Sequence, residues 1–324
     1  MIRWGVLGAG KIASRFASSL ENETGSSLYA IAARKEEKAL AFLGEHKADR
    51  YYLSYDAFLE DENIDAIYLA LPHALHKDWA IKALHHKKAV LCEKPAGLNQ
   101  DEVKCIADAA SWNQTLFMEA MKSRFVPIFK DIISIIDSGK IGTIRRIDTV
   151  LCFNADLSKA TYHTQVGQGG ALYDSGIYCA NFIDRFTTGT PVLADIETRI
   201  ENGIDLHVKS ELQIGPINAS LEVAFDENKA KTCTIEGKKG KILIYDLHRP
   251  QKIEVITDDE SKIIEKPYLI DDFYTEILHF TDLMRNGMIE SPIMPISDSF
   301  RCAQILDIIR NGFKKFASTR VDSV

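Results

Sequence analysis

The stretch "IRWGVLGAGKIA", residues 2–13, decides the fold. An apolar strand runs into a G-x-G-x-x-A turn made by Gly8, Gly10 and Ala13. Residues 11–22 follow with a helical apolar period through Ile12, Phe16 and Leu20. Gly8 permits the tight turn, and Gly10 lets the backbone approach a pyrophosphate with no Cβ in the way. Ala13 keeps the helix close to the sheet, and the helix start offers free N–H groups to phosphates. Gly8, Gly10, Lys11 and Ile12 are therefore candidate dinucleotide contacts, with Lys11 either adding charge there or simply solvated. The glycine pattern carries weight because it sits directly after an N-terminal strand in a βαβ frame.

Working outward, residues 1–121 continue to alternate strand and helix. "SLYAIAA" at 27–33, "DAIYLAL" at 65–71, "KAVLC" at 88–92 and "TLFMEA" at 115–120 are short apolar runs. Helical patterns at 36–45, 73–86 and 99–112 separate them. Near-continuous apolar strands separated by helices predict a parallel, doubly wound sheet of Rossmann type, buried on both faces. After residue 122 the texture changes. A helix at 124–138 is followed by strands that alternate polar and apolar, "LHVKSELQI" at 206–214 and "INASLEVAF" at 217–225. "KTCTIEGKKGKILIYD" at 231–246 reads as two strands joined by a turn from Gly237 to Gly240. Helices at 272–286 and 297–316 close the chain. The expected architecture is an α/β dinucleotide-binding domain, 1–121, and an α+β domain, 122–324, built on a large, mainly antiparallel open sheet. The last helix is placed where it can pack back on the first domain.

The composition sets limits on partners. With 324 residues, 46% hydrophobic and 26% charged, the chain has the profile of a soluble globular protein. A net charge of −7 argues against nucleic acid or an anionic membrane as partner. No apolar run reaches the ~20 residues of a membrane span. The six cysteines show no C-x-x-C pairing, and Cys92, Cys105, Cys152 and Cys233 stand in apolar settings, which suits reduced, buried thiols in the cytoplasm. No metal site is suggested.

At the end of the second strand, "AIAARKEEK" lacks the acid that usually accepts bonds from an NAD ribose. It offers Arg34 and Lys35, with Lys38 a turn further on. A carboxylate would repel a 2′-phosphate, whereas Arg34 can grip one through paired donors. NADP(H) is the preferred cofactor, with NAD(H) as the alternative.

The stretch "VLCEKPAGL" at 90–98 ends a buried-looking strand with Glu93, Lys94 and Pro95. Together with "GAGKIA" at 8–13, "LPHALH" at 71–76, "MEAMKSRFVP" at 118–127 and "GGALYDSGIYCANF" at 169–182, it resembles the glucose–fructose oxidoreductase / inositol dehydrogenase (Gfo/Idh/MocA) family, nearest its dihydrodiol-dehydrogenase-like branch. The resemblance covers nearly the whole chain. It implies an NAD(P)-dependent oxidoreductase acting on a sugar, cyclic polyol or related carbinol, working as a homodimer or larger homo-oligomer through the open sheet. It also implies that Lys94 projects into the cleft, with Glu93 orienting it or contacting the nicotinamide ribose. Leu71, Pro72 and His76 fall on the cofactor side.

Hydride transfer from an alcohol needs a proton acceptor, and carbonyl reduction needs the same group as a donor. "DSGIY" supplies Asp174 and Tyr178, four residues apart and so on one helix face. A phenol with a reference pKa of about 10 needs a nearby cation to act as a base, and Lys94 is the expected one. Asp174 positions the substrate or tunes that pair. The branch has an aromatic residue where this chain has Lys122, and the loop "SKATYHTQVGQ" at 158–168 also differs from it, which together point toward a polar substrate, anionic or sugar-like. Lys122, Arg124, Tyr162 and His163 are candidate substrate contacts. The rival reading is a catalytically silent dinucleotide-binding sensor or subunit, for which the phosphate site alone would suffice.

Overall fold

The computed structural model describes residues 1–158 and 161–319. Residues 159–160 of the loop before Gly169, and 320–324 of the second expected domain, lie outside the described residues.

Six parallel strands form the first sheet: β1 (Ile2–Leu7), β2 (Ser26–Ala32), β3 (Arg50–Tyr52), β4 (Ala66–Leu69), β5 (Ala89–Glu93) and β6 (Phe117–Ala120). Their order is β3-β2-β1-β4-β5-β6. The winding reverses between β1 and β4, and in such sheets the crevice outside the carboxyl ends at that point takes the ligand. Every residue of β4, β5 and β6 is buried, which is why these strands read as unalternating runs. The crossovers carry α1 (Lys11–Leu20), α2 (Glu36–Glu45), α3 (Tyr55–Glu60), α4 (His76–His85) and α5 (Gln100–Asn113).

The second sheet has eight strands: β7 (Ile144–Cys152), β8 (Pro191–Glu201), β9 (Ile204–Ile214), β10 (Ile217–Ala224), β11 (Thr232–Gly237), β12 (Gly240–Tyr245), β13 (Lys252–Thr257) and β14 (Ser261–Glu265). Their order is β14-β13-β12-β11-β7-β10-β9-β8, antiparallel except where β7 and β10 run parallel. Val208, Leu212, Leu221, Val223, Ile235 and Ile244 are buried on one face, where α7 (Ile177–Arg185) packs against β7 and β10, and α6 (Ile128–Asp137) packs on β13. Lys209, Gln213 and Lys241 project on the opposite face and are exposed.

The chain forms two compact units. The first comprises Met1–Gly97, Asp101–Phe125 and Leu269–Ser299, and the second comprises 98–100, 126–268 and the chain from Phe300 onward. The segment that returns to the first unit contains α8 (Tyr274–Arg285), whereas α9 (Ile296–Thr319) gives it only its first turn. An aromatic cluster explains the return of α8. Trp4 of β1 lies 5.2 Å from both Phe16 of α1 and Phe280 of α8, and all three rings are fully buried. Each such ring stabilises the packing by about 2–3 kcal/mol. Cys105 departs from expectation: it is exposed, because the buried stripe of α5 runs through Val103, Ile106 and Ala109. The other five cysteines are buried, and none of the six forms a disulfide.

Candidate active site

The candidate dinucleotide contacts gather at the carboxyl ends of the parallel strands. Gly8 has φ +110, and a Cβ there would stand 2.4 Å from the Ala70 carbonyl oxygen, so the β1 turn passes against the end of β4 as only glycine can. At Gly10 an added Cβ meets nothing within 4 Å, so the space in front of the turn is open. The amino end of α1, where Lys11 and Ile12 stand, has no side-chain cap and no acid in its first turn. These features fit a pyrophosphate placed on the helix N-terminus. Arg34 and Lys38 are exposed just beyond β2. Burial pushes the Tyr55 hydroxyl up, and Arg34, hydrogen-bonded to it, pulls the other way. Arg34 thus stands beside an aromatic pair, since Tyr55 meets Trp79 edge-on at 5.0 Å.

The loop after β5 is pinned at successive residues. Glu93, 9% exposed, accepts a hydrogen bond from the Tyr68 hydroxyl through Oε1 and from the Lys94 N–H through Oε2 at 3.2 Å. The Lys94–Pro95 peptide is cis. The Pro95 carbonyl lies 2.8 Å from His76 Nδ1, and the Ala96 N–H donates to Glu119 Oε1 at 2.9 Å. Tyr68 is itself fixed, stacked on Phe16 at 3.8 Å. The loop therefore presents Lys94, half-buried, from a rigid frame. Leu71 and Pro72 close the end of β4, Leu71 at 9% exposure.

Three of the candidate residues are engaged within the first unit itself. His76 is fully buried, and its second ring nitrogen, Nε2, lies 2.7 Å from the Leu71 carbonyl. Carbonyls only accept and burial opposes the charged imidazolium, so the single ring N–H of His76 bonds either the Leu71 or the Pro95 carbonyl at the base of the loop after β5. Lys122 is buried against Asp272 at 2.6 Å, with Phe273 under its ammonium. Arg124, whose side chain has no exposure, bonds Asp298 and the Ile293 carbonyl. Both cations link the return segment to the end of β6.

The second unit holds Asp174, Tyr178, Tyr162 and His163. Residues Leu172–Gly176 form a single π-helical turn that leads into α7, placing Asp174 in the wide turn and Tyr178 in the first turn of α7. Such turns recur at functional sites. Tyr178 is 7% exposed and meets the His248 ring edge-on at 5.9 Å. Asp174 keeps 17% exposure, and its Oδ1 lies 4.0 Å from His163 Nδ1. Tyr162 and His163 share a short 3-10 turn closed by a capping box between Thr161 and Thr164, with their rings 4.0 Å apart.

Comparison with known proteins identifies the family. Residues 2–121 match a family described as an oxidoreductase family with an NAD-binding Rossmann fold, and 129–243 match the GFO/IDH/MocA C-terminal domain. The chain is 32% identical to mouse trans-1,2-dihydrobenzene-1,2-diol dehydrogenase across 96% of both chains. The chain belongs to the Gfo/Idh/MocA oxidoreductase family. It is also 28% identical to the scyllo-inositol 2-dehydrogenase (NADP(+)) of Bacillus subtilis, again across 96% of each. A crystallised 3-ketoreductase from Actinomadura kijaniata, in complex with NADP and TDP-benzene, superposes with a TM-score of 0.86 at 26% identity over 96% of this chain and 97% of that one.

As a Gfo/Idh/MocA member the chain also carries residues that its sequence alone did not single out. Tyr68 looks like a strand-core tyrosine until its bond to Glu93 is seen. Glu276 on α8 is fully buried with neither oxygen hydrogen-bonded, and burial together with Glu93 pushes its carboxyl well up. Asp205 on β9 gave no sequence signal, because a strand acid ordinarily faces solvent. His207, Glu222 and Glu227 come within metal-ligand reach of one another, but Lys229 already bonds both carboxylates, at 2.7 and 3.2 Å. Among the described residues no helix is long and apolar enough to cross a membrane.

Proposed function

We propose that the protein is an NADP(H)-dependent dehydrogenase or reductase acting on a carbinol or carbonyl carbon of a sugar, cyclic polyol or related diol. The observation that carries the reading is the pinned loop after β5, which holds Lys94 at the carboxyl end of the parallel sheet. A rigid frame of this kind is what a proton-transfer group requires, because misplacement by about 1 Å costs roughly 10²-fold in rate. The dinucleotide, when bound, supplies or accepts the hydride. Gly8, Gly10, Lys11 and Ile12 hold its pyrophosphate on the start of α1. Arg34, assisted by Lys38, takes the 2′-phosphate, and Leu71, Pro72 and Glu93 flank the nicotinamide end.

Lys94 and Tyr178 act together on the proton of the reacting hydroxyl, the ammonium stabilising the phenolate that Tyr178 needs to accept it. Asp174 tunes that pair and orients substrate, with Tyr162 and His163 as further substrate contacts. The relatives support this class: the mouse protein is a diol dehydrogenase, the Bacillus protein an NADP(+)-linked inositol dehydrogenase, and the ketoreductase has been solved with one lysine or one tyrosine replaced. Two or more copies pair through the open face of the second sheet, in the cytoplasm.

A panel of aldoses, inositols, anhydro-sugars and diols, scanned with NADP+ for cofactor absorbance, tests the reading. Turnover of at least one polyol or sugar is expected. Calorimetry should show NADP(H) binding more tightly than NAD(H), with the preference largely lost in Arg34→Ala. Equal affinity for both cofactors in the unaltered protein would remove Arg34 from its role.

A further inference from the structure

We propose that Asp205 is a positioning residue for the reaction: its carboxylate, reaching over from β9, fixes the amino end of the helix that carries Asp174 and Tyr178. The inference rests on the reading of those two side chains given above.

The helix begins at Leu172 with no capping side chain of its own. Its first N–H groups would lack partners in a buried setting, a loss of about 1–3 kcal/mol for each. Asp205 supplies the acceptor. Oδ2 takes the Leu172 N–H at 2.7 Å, and the Ala171 N–H also bonds this carboxylate. Gly170 makes the approach possible. It has φ +102, and a Cβ there would stand 2.0 Å from Asp205 Oδ1, so any larger residue would expel the carboxylate. Asp205 is 9% exposed, and the backbone N–H groups of Ala171 and Leu172 hold its carboxylate against the burial that opposes its ionisation.

The same anchor fixes the neighbouring loop. The Gly170 N–H donates to the His163 carbonyl at 3.0 Å, and at Gly169 a Cβ would stand 2.3 Å from that same oxygen. Asp205 therefore sets three functional side chains through backbone alone: Asp174 in the first turn, Tyr178 one turn on, and His163 in the adjoining loop. Its cost is visible too, since burying an acid opposes ionisation and leaves little net stabilisation from the carboxylate. A residue kept under those conditions contributes geometry more than stability.

The test is steady-state kinetics of Asp205→Asn and Gly170→Ala beside Tyr178→Phe, with melting temperature and NADP+ affinity measured on each. Asparagine keeps one acceptor and the side-chain shape. Positioning predicts that Asp205→Asn lowers kcat by about tenfold or more, with Tm within a few degrees and NADP+ affinity within twofold. Gly170→Ala should match that kcat loss although its carboxylate remains. A merely structural role would lower Tm and leave the kcat of the folded fraction unchanged, and that result overturns the proposal. If Tyr178→Phe is slow while Asp205→Asn turns over normally, this inference fails and the reading of Tyr178 stands. If Tyr178→Phe is itself normal, that reading fails and takes the inference with it.

Discussion

Replacing Asp272 by asparagine should destabilise the protein severely. Asp272 is 3% exposed as a side chain and bonds two cations, Lys122 at 2.6 Å and Arg15 of α1, both of which also sit over Phe273. Lys122 has only 8% side-chain exposure, so Asp272→Asn strands a buried ammonium, whereas Arg15 at 45% can turn to water. Removing one member of a buried pair costs about 3–5 kcal/mol. For a domain of 150–250 residues each kcal/mol moves Tm by about 2–4 °C, so a fall of roughly 6–20 °C is expected. Burial pushes the Asp272 carboxyl up, but Lys122 and Arg15 outweigh it and hold the group below its usual 3.8. Its contribution is therefore complete above that value and lost as pH drops beneath it. Scanning calorimetry of Asp272→Asn, Lys122→Met and the double variant measures the effect. The double variant should recover most of the loss, since replacing both charges by groups of similar volume is often neutral. A single variant melting within ~2 °C of the unaltered protein would refute the reasoning.

Acid should stabilise the protein through Asp205. Burial raises its carboxyl from 3.8 to about 6, so between those values the native state binds more protons than the unfolded one, and stability from this group grows as pH falls. The gain is capped at about 3 kcal/mol, two pKa units at 1.36 kcal/mol each. Melting curves from pH 7 to pH 4 should show the unaltered protein gaining on Asp205→Asn, and parallel curves would contradict the shift. For assembly, light scattering at micromolar concentration should give at least twice the 36.3 kDa chain mass, and a monomer would exclude pairing through the open sheet.

The first sheet was legible because each of its longer strands is buried on both faces and bounded by helix signals. β3, only three residues with two of them exposed, carries too little pattern to be found, and α3 after it is a single short turn and a half. In the second sheet β9 and β10 were readable from strict alternation. The edge strand β8 was not, since Val192 and Ile200 are exposed along it and blur the period. A helical period does not say which sheet a helix covers, so the return of α8 to Trp4 emerged only from the packing. That the glycine turn, Arg34 and Lys94 stand at strand ends of the first sheet was legible, because the strand pattern fixes backbone position. The partners of Lys122, Arg124 and His76 were not legible, because sequence does not say that a cation or imidazole at a strand end stands beside Asp272, Asp298 or backbone carbonyls.

The central claim is that Lys94 and Tyr178 form one proton-transfer unit. A double-mutant cycle on turnover, with NADP+ and the best substrate from the panel, tests it most directly. Lys94→Ala and Tyr178→Phe should each lower turnover by at least ~10²-fold while cofactor affinity stays within a few-fold, as expected for general acid–base groups. Combined, they should lose far less than the product of the single losses, because residues acting as a unit are non-additive. Near-normal turnover in Tyr178→Phe, or losses that simply multiply, would contradict the account.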